Sequence, residues 1–269
     1  MERLFFDGGM GTILHGRGLA EDPVRLNLTH SDVITDIHRQ YLDAGADVLT
    51  ANTFGAYTHK HADAELLIEA AIKNARAAGT AKVALDMGPL GVMLEPYGDM
   101  AFEEAHALFT QAAQAGAKYG ADMILIETFY CLTELEAAVQ AAKATGLPVF
   151  ATMTFDKRGR TTMGTPLAKM AAALEDWGVA VLGMNCGLGP DTYLELLPQL
   201  REATRLPILV QPNAGLPQII NGQTVYDVSA DDFAAVMADI AQNGATHLGG
   251  CCGTTPAHIS AMINACKAV

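Results

Sequence analysis

Five cysteines stand in the chain, and three of them fall where a β-forming run stops: Cys186 past Val181–Met184, and Cys251 with Cys252 past His247–Gly249. Thiolates are soft ligands that suit zinc, and a catalytic zinc takes three protein ligands and leaves the fourth position open. Neighbouring residues on a strand point to opposite faces, so Cys251 and Cys252 reach one ion only where the strand bends as it ends. Gly249, Gly250 and Gly253 supply backbone freedom for that bend. Any one of these thiols alone reads as buried structural cysteine; the set, gathered at two strand ends, does not. Three thiolates on a divalent zinc leave a net negative centre, too electron-rich to activate water well. Such a centre suits a thiol instead, lowering its pKa and holding it as a nucleophile. The chemistry this predicts is alkylation at sulfur, although a fourth protein ligand would make the same cluster purely structural. Cys131 and Cys266 fall on helical segments and read as core.

Something must bring those strand ends together. Eight short apolar, β-rich runs recur: Leu4–Phe6, Val48–Ala51, Val83–Leu85, Met123–Ile126, Val149–Met153, Val181–Met184, Ile208–Val210 and His247–Gly249. Helical spacing fills the intervals, as in Val33, Ile34, Ile37, Tyr41 and Leu42, and in the Ala-rich stretches Ala64–Ala78 and Phe102–Lys118. Leu135–Ala144, Ala168–Trp177, Thr192–Ala203, Asp231–Gln242 and Pro256–Lys267 complete the set, with Ser31, Ser229 and Thr255 as candidate N-caps. Glycine breakers such as Ala-Gly-Ala-Asp before Val48 and Asn-Gly-Ala-Thr before His247 close the helices. Strict alternation without linker or repeat predicts an α/β protein, a single-domain (β/α)8 TIM barrel over residues 1–269, with a doubly wound open sheet as the alternative. Barrel active sites sit at the strand C-terminal ends. Here those ends carry Asp7-Gly8-Gly9, Asn52-Thr53-Phe54, Asp86, Glu127-Thr128, Thr154, Asn185-Cys186-Gly187, Gln211-Pro212-Asn213 and Cys251-Cys252-Gly253. Two long stretches, Asp156–Pro166 with Arg158 and Arg160, and Gly215–Ser229, read as loops over that mouth. His59 and His61 do not share a helical face and read as solvated; His247, inside a strand, reads as a satisfied core histidine.

Composition narrows the partners. Lys+Arg number 17 against 30 Asp+Glu, a net charge of −13 with no lysine-rich run, which argues against a nucleic-acid partner. Half of the 269 residues are apolar, enough for a sizeable core, yet no uninterrupted apolar window is long enough to span a bilayer, so no membrane partner is expected. The N-terminal apolar stretch is too short for a signal peptide, and an odd number of cysteines suits a reducing, cytoplasmic setting rather than a disulfide framework. Gly8–Gly11 lacks the spacing of a dinucleotide fingerprint.

Taken together, Asp7-Gly-Gly-Met-Gly-Thr, Ala51-Asn-Thr-Phe-Gly-Ala, Asn185-Cys-Gly, Gln211-Pro-Asn-Ala-Gly-Leu-Pro and Gly249-Gly-Cys-Cys-Gly-Thr-Thr-Pro resemble the homocysteine S-methyltransferase family, from Phe5 to about Ile259. The resemblance implies a Zn2+ held by Cys186, Cys251 and Cys252, with homocysteine sulfur in the fourth position and the Asn213 side-chain oxygen there when substrate is absent. It further implies that Glu127 pairs with the substrate ammonium and that Asp7 and Gly8 lie near the amino-acid end. Backbone N–H groups near Gly8 or the Thr53 hydroxyl would take the carboxylate, and Asn52 would be a turn former or a hydrogen bonder beside them. Gly88-Pro-Leu-Gly and Leu94-Glu-Pro-Tyr-Gly-Asp are similar to the branch whose methyl donor is methylcobalamin. With the sequence ending at Val269, that cofactor is expected on a separate corrinoid protein or donor module, giving methionine by transfer in trans. A donor such as S-methylmethionine or S-adenosylmethionine is the alternative, and a zinc-binding, corrinoid-docking module without turnover is a third reading.

Overall fold

The computed structural model describes residues 3–19, 21–220 and 223–268. The chain opens with β1 (Leu4–Phe5), the short helices α1 (Met10–Gly16) and α2 (Leu26–Thr29), and α3 (Ser31–Asp43). Four strand–helix pairs follow: β2 (Val48–Thr50) with α4 (Ala64–Ala78), β3 (Lys82–Met87) with α5 (Phe102–Lys118), β4 (Met123–Phe129) with α6 (Leu132–Lys143), and β5 (Val149–Met153) with α7 (Leu167–Asp176). Then come β6 (Val181–Asn185), α8 (Pro190–Ala203), β7 (Ile208–Gln211), a hairpin of β8 (Gln218–Ile220) and β9 (Gln223–Val225), and α9 (Ala230–Gln242). The last elements are β10 (His247–Leu248) and α10 (Pro256–Lys267).

Eight strands run parallel in the order β1-β10-β7-β6-β5-β4-β3-β2. A parallel bridge from Phe6 to Val48 joins the two ends of that order, so the sheet closes into the (β/α)8 barrel that the alternation predicts. The strands read as continuous apolar runs because both faces are covered. Phe6, Val48, Ala84, Met123, Leu125, Phe150, Val181 and Leu209 form an inner cluster separate from the large layer packed between strands and helices. Gly45 and Gly244 end α3 and α9 in the left-handed region, at φ 101° and 105°, where a side chain would be strained.

Several elements differ from the expectations. The short helices α1 and α2 stand where no periodic pattern is legible, and the Gly215–Ser229 stretch contains the β8–β9 hairpin. Ser31 is the first helical residue of α3 rather than its cap, whereas Ser229 accepts from the Asp232 N–H and Thr255 forms a capping box with His258. Cys131 is not core: it is the half-buried N-cap residue of α6, while Cys266 is buried as expected. His61 is buried against Asp22 (3.3 Å) and so is not solvated, whereas His59 is exposed as expected, with its ring stacked on Tyr57. His247 stacks on Phe150 inside the barrel and accepts from the Leu4 N–H, with its Nε2 unpartnered. Arg158 and Arg160 turn back onto Asp156 and the Gly164 carbonyl, holding their own loop. Among the described residues no helix is long and apolar enough to cross a membrane.

Gly183 on β6 has no room for a side chain, since a Cβ there would lie 1.8 Å from the Leu209 carbonyl oxygen of β7. Backbone cannot yield as a flexible side chain does, so Gly183→Ala should cost about 1–3 kcal/mol or more. Urea unfolding of the metal-free, reduced protein measures this; an unchanged midpoint would contradict so close a β6–β7 approach.

Candidate active site

The strand C-terminal ends surround a cavity of about 340 Å³ at the barrel mouth. Cys186, Cys251, Cys252, Asp7, Gly8, Asn52, Asp86, Glu127 and Gln211 lie in its wall, so the mouth gathers residues from seven barrel strands and their following turns. The three thiols lie within 4.8 Å of one another, with Cys252 Sγ 4.0 Å from both Cys186 Sγ and Cys251 Sγ.

Local backbone explains how they meet. β6 ends at Asn185, and Cys186 leaves the strand at φ 57°, an unusual left-handed conformation for a residue other than glycine. It is held there by its N–H to the Gln211 carbonyl (3.0 Å) and by the Tyr193 hydroxyl, which donates to the carbonyls of Asn185 and Cys186. Across the mouth, β10 stops at Leu248, so the two-faced alternation of a strand no longer applies at Cys251 and Cys252. Gly250 N–H donates to the Asp7 carbonyl, Cys251 N–H to the Pro212 carbonyl, and the Cys252 carbonyl accepts from Ala214 N–H. The glycines serve differently from the expectation. Gly253 alone of the three takes a left-handed φ (80°); Gly249 and Gly250 are bare because a Cβ would strike Phe6 at 2.8 Å and Thr254 at 2.4 Å.

Crowding three sulfurs without a cation confines negative charge to one of them. Cys252 is pulled down to about 3 by hydrogen bonds from the Cys186 and Cys251 thiols, and Cys251 is pushed well above the ordinary range by its bonds to the other two and by burial. Nearby, the Asn213 Oδ1 and Gln211 Oε1 are buried without a hydrogen-bond partner, as oxygen atoms awaiting a cation or donor would be. Three soft thiols with spare buried oxygens fit a thiophilic divalent ion. Asn213 itself does not stand in the cavity wall.

Opposite in chemistry is a set of carboxyl groups. Asp7 is pushed up to about 7 by burial, although its Oδ2 accepts from the Thr50 N–H at 2.8 Å. Glu127 is pushed up to about 8, by burial first and then by the negative charges of Cys252 and Asp7. Asp86 is raised well above the carboxylate range by burial, Glu127 and Asp7, and its Oδ1 has no partner. No lysine, arginine or histidine among the described residues lines the cavity. A ligand bearing a positive charge would relieve all three groups at once.

The remaining expected residues fall into place unevenly. Gly8 lines the cavity with bare backbone, where a Cβ would meet Thr254 Oγ1 at 2.5 Å and the Tyr41 hydroxyl at 2.9 Å. Asn52 lines it too, but its Nδ2 donates to the Pro23 carbonyl and its own carbonyl accepts from Asn27 Nδ2, tying the segment after α1 across the mouth. Thr53 is a correction: it is not in the wall, because its hydroxyl donates to the Asp86 carbonyl (2.8 Å) and accepts from the Asp86 N–H (3.0 Å), locking β2 to β3. Two residues that the sequence places at strand ends, without a role, gain one here. Asp86 carried one signal in the sequence, a charge inside a buried apolar strand. Asn185 carried its place before Cys186. Its Oδ1 accepts from Thr128 N–H and Thr152 hydroxyl, and its Nδ2 donates to Thr128 Oγ1 and reaches Cys251 Sγ at 4.0 Å.

Comparison with known proteins agrees with this geometry. The chain is 36% identical over 284 aligned positions to methionine synthase of Mycobacterium tuberculosis and 33% identical to that of Mycobacterium leprae. Each alignment covers 94% of this chain but only 24% and 23% of those proteins, so the chain spans about a quarter of the length of the curated relatives it matches. The crystal structure of the homocysteine methyltransferase MmuM from Escherichia coli, oxidized form, superposes with a TM-score of 0.82 at 26% identity, covering 98% of this chain and 96% of that one. A metallated form of the same protein superposes equally well, with a TM-score of 0.82 over 97% of this chain. Residues 4–266 match the family model of homocysteine S-methyltransferase, and the chain belongs to that family.

Proposed function

We propose that this barrel transfers a methyl group to the thiol of homocysteine, giving methionine. The observation that carries this is the cavity itself: a three-thiol cluster at one side and a cation-seeking carboxyl set within the same wall. Homocysteine brings a thiol and an ammonium at the two ends of a short chain, and so answers both. Zinc held by Cys186, Cys251 and Cys252 supplies thiol activation, by lowering the pKa of a thiol that occupies its open position. The chain's own residues do the rest. Glu127, Asp7 and Asp86 take the ammonium, the bare backbone at Gly8 admits the amino-acid end closely, and Asn185 steadies the turn that carries Cys186. Asn213, whose side-chain oxygen is buried without a partner, would be the residue to complete the metal's ligands in the absence of substrate. The five free cysteines suit a reducing, cytoplasmic setting.

For the donor we infer a methylcorrinoid carried by a separate protein or module, since relatives named methionine synthase join this barrel to about three further barrel-lengths of chain. A second reading has its own support. The homocysteine methyltransferase MmuM is nearly coextensive with this chain, so a small sulfonium donor needing no partner is the alternative. Turnover with S-methylmethionine or S-adenosylmethionine alone, against turnover only with a methylated corrinoid protein, separates the two. No methyl transfer from any donor would leave a docking module without turnover.

Two outcomes test the site. Purified reduced protein should hold near one zinc per chain, with X-ray absorption moving from three sulfurs and one oxygen to four sulfurs when homocysteine is added, and Cys251→Ser should lose that metal. An unchanged shell would sink thiol activation. Separately, Glu127→Gln should raise the homocysteine KM about 10–100-fold while zinc content stays constant. Because Asp7 and Glu127 ionise only near about 7 and about 8, affinity for methionine, which carries the ammonium but no thiol proton, should rise from about pH 6 to about pH 8. Calorimetry showing a flat profile would contradict the carboxyl assignment.

A further inference from the structure

The β4–β5 ladder slips where Glu127 stands. Ile126 pairs with Ala151 and Phe129 with Met153, so Glu127 and Thr128 together face the single residue Thr152. The extra residue is a β-bulge, which re-aims side chains and leaves backbone outside the ladder. Its effect shows along β4. Met123 and Leu125 belong to the inner cluster and Ile124 and Ile126 to the outer layer, so strict alternation would turn Phe129 inward. Phe129 instead packs outward on Phe109 of α5, with ring centroids 5.9 Å apart, and Glu127 and Thr128 both line the cavity.

The bulge is strained. Thr128 sits at φ 67°, a left-handed conformation that is an outlier for a β-branched residue. Asn185, reaching across β5 from the end of β6, holds it there. Its Oδ1 accepts from the Thr128 N–H (2.8 Å) and from the hydroxyl of Thr152 (2.7 Å), the residue opposite the bulge, and its Nδ2 donates to Thr128 Oγ1 (2.8 Å). Asn185 and Thr152 are fully buried, so water does not stand in for these bonds. Cys186, the next residue, is the other non-glycine in the left-handed region among the described residues. One asparagine therefore joins both strained backbones, by its side chain on one side and its peptide bond on the other.

We propose that Asn185 is a positioning residue for Glu127: by holding the Thr128 bulge across β5, it fixes the direction of that carboxyl relative to the turn of Cys186. Asn185→Ala should weaken methionine binding, read by calorimetry, about tenfold, because the bulge relaxes and the carboxyl is misplaced. Adding Glu127→Gln should then cost nothing beyond Glu127→Gln alone, since both changes act on one contact. A merely structural asparagine would give additive losses. Thr128→Gly in the Asn185→Ala chain should restore most of the affinity, because glycine takes the left-handed conformation without support. If Asn185→Ala does not fold, Thr128→Val, which removes only the acceptor of the Asn185 amide, repeats the test at about threefold. The inference rests on reading Glu127 as the ammonium partner, and a crystal structure of the variant separates the two. Glu127 displaced from the cavity wall, in a protein whose unaltered form binds no methionine, upholds Asn185 and removes the ammonium reading. Glu127 unmoved, or additive losses, overturns the proposal.

Discussion

Three sulfurs held within 4.8 Å of one another cannot all ionise unless a cation shares the site, and much of the barrel mouth answers to that constraint. Holding them so close requires backbone that would not choose the arrangement by itself. Cys186 sits in a left-handed conformation rare for a side-chain-bearing residue, fixed by Tyr193 and by the neighbouring strand. Cys251 and Cys252 lie beyond the end of β10, in a turn bonded to β1, to the β7 exit and to α1 through Thr12. The rigid part is the closed ring of parallel strands, whose ends cannot drift apart without breaking ladder hydrogen bonds.

The carboxyl groups pose the mirror problem. Asp7, Asp86 and Glu127 share a cavity from which cationic side chains are absent among the described residues. Left empty, such a site keeps its acids partly protonated, because charge there is neither solvated nor paired. The same cavity wall thus carries a thiol cluster and a set of acids, both of which cationic charge would relieve. Thr53 holds one of those acids in place by bonding both backbone groups of Asp86.

Two segments outside the barrel proper complete the mouth. The stretch through α1 and α2 crosses it and is pinned by the Asn27–Asn52 pair and by His61 against Asp22. The β8–β9 hairpin stands on the other side with Ile219 and Ile220 exposed and Tyr226 at its base. Both are insertions after barrel strands, the places where this fold varies its chemistry without disturbing its core.

The sequence by itself determined the barrel and the three-cysteine cluster that could hold a metal. Alternating strand and helix patterns are set by local hydrophobic period, and the cysteines fall at strand ends, so both are legible without coordinates. It also marked Glu127, Asp7 and Gly8, which line the cavity. What only tertiary structure decided is where each polar side chain spends its hydrogen bonds. Thr53 turned to the Asp86 backbone, Asn52 to Pro23, and Asp86 into the cavity, choices made by partners 29 and 33 residues away. Likewise α1, α2 and the hairpin with Tyr226 carry no strong periodicity, because they are held by contacts with the finished barrel rather than by an apolar face of their own. Period is a local property of the chain; the satisfaction of a buried polar atom is a property of the whole fold.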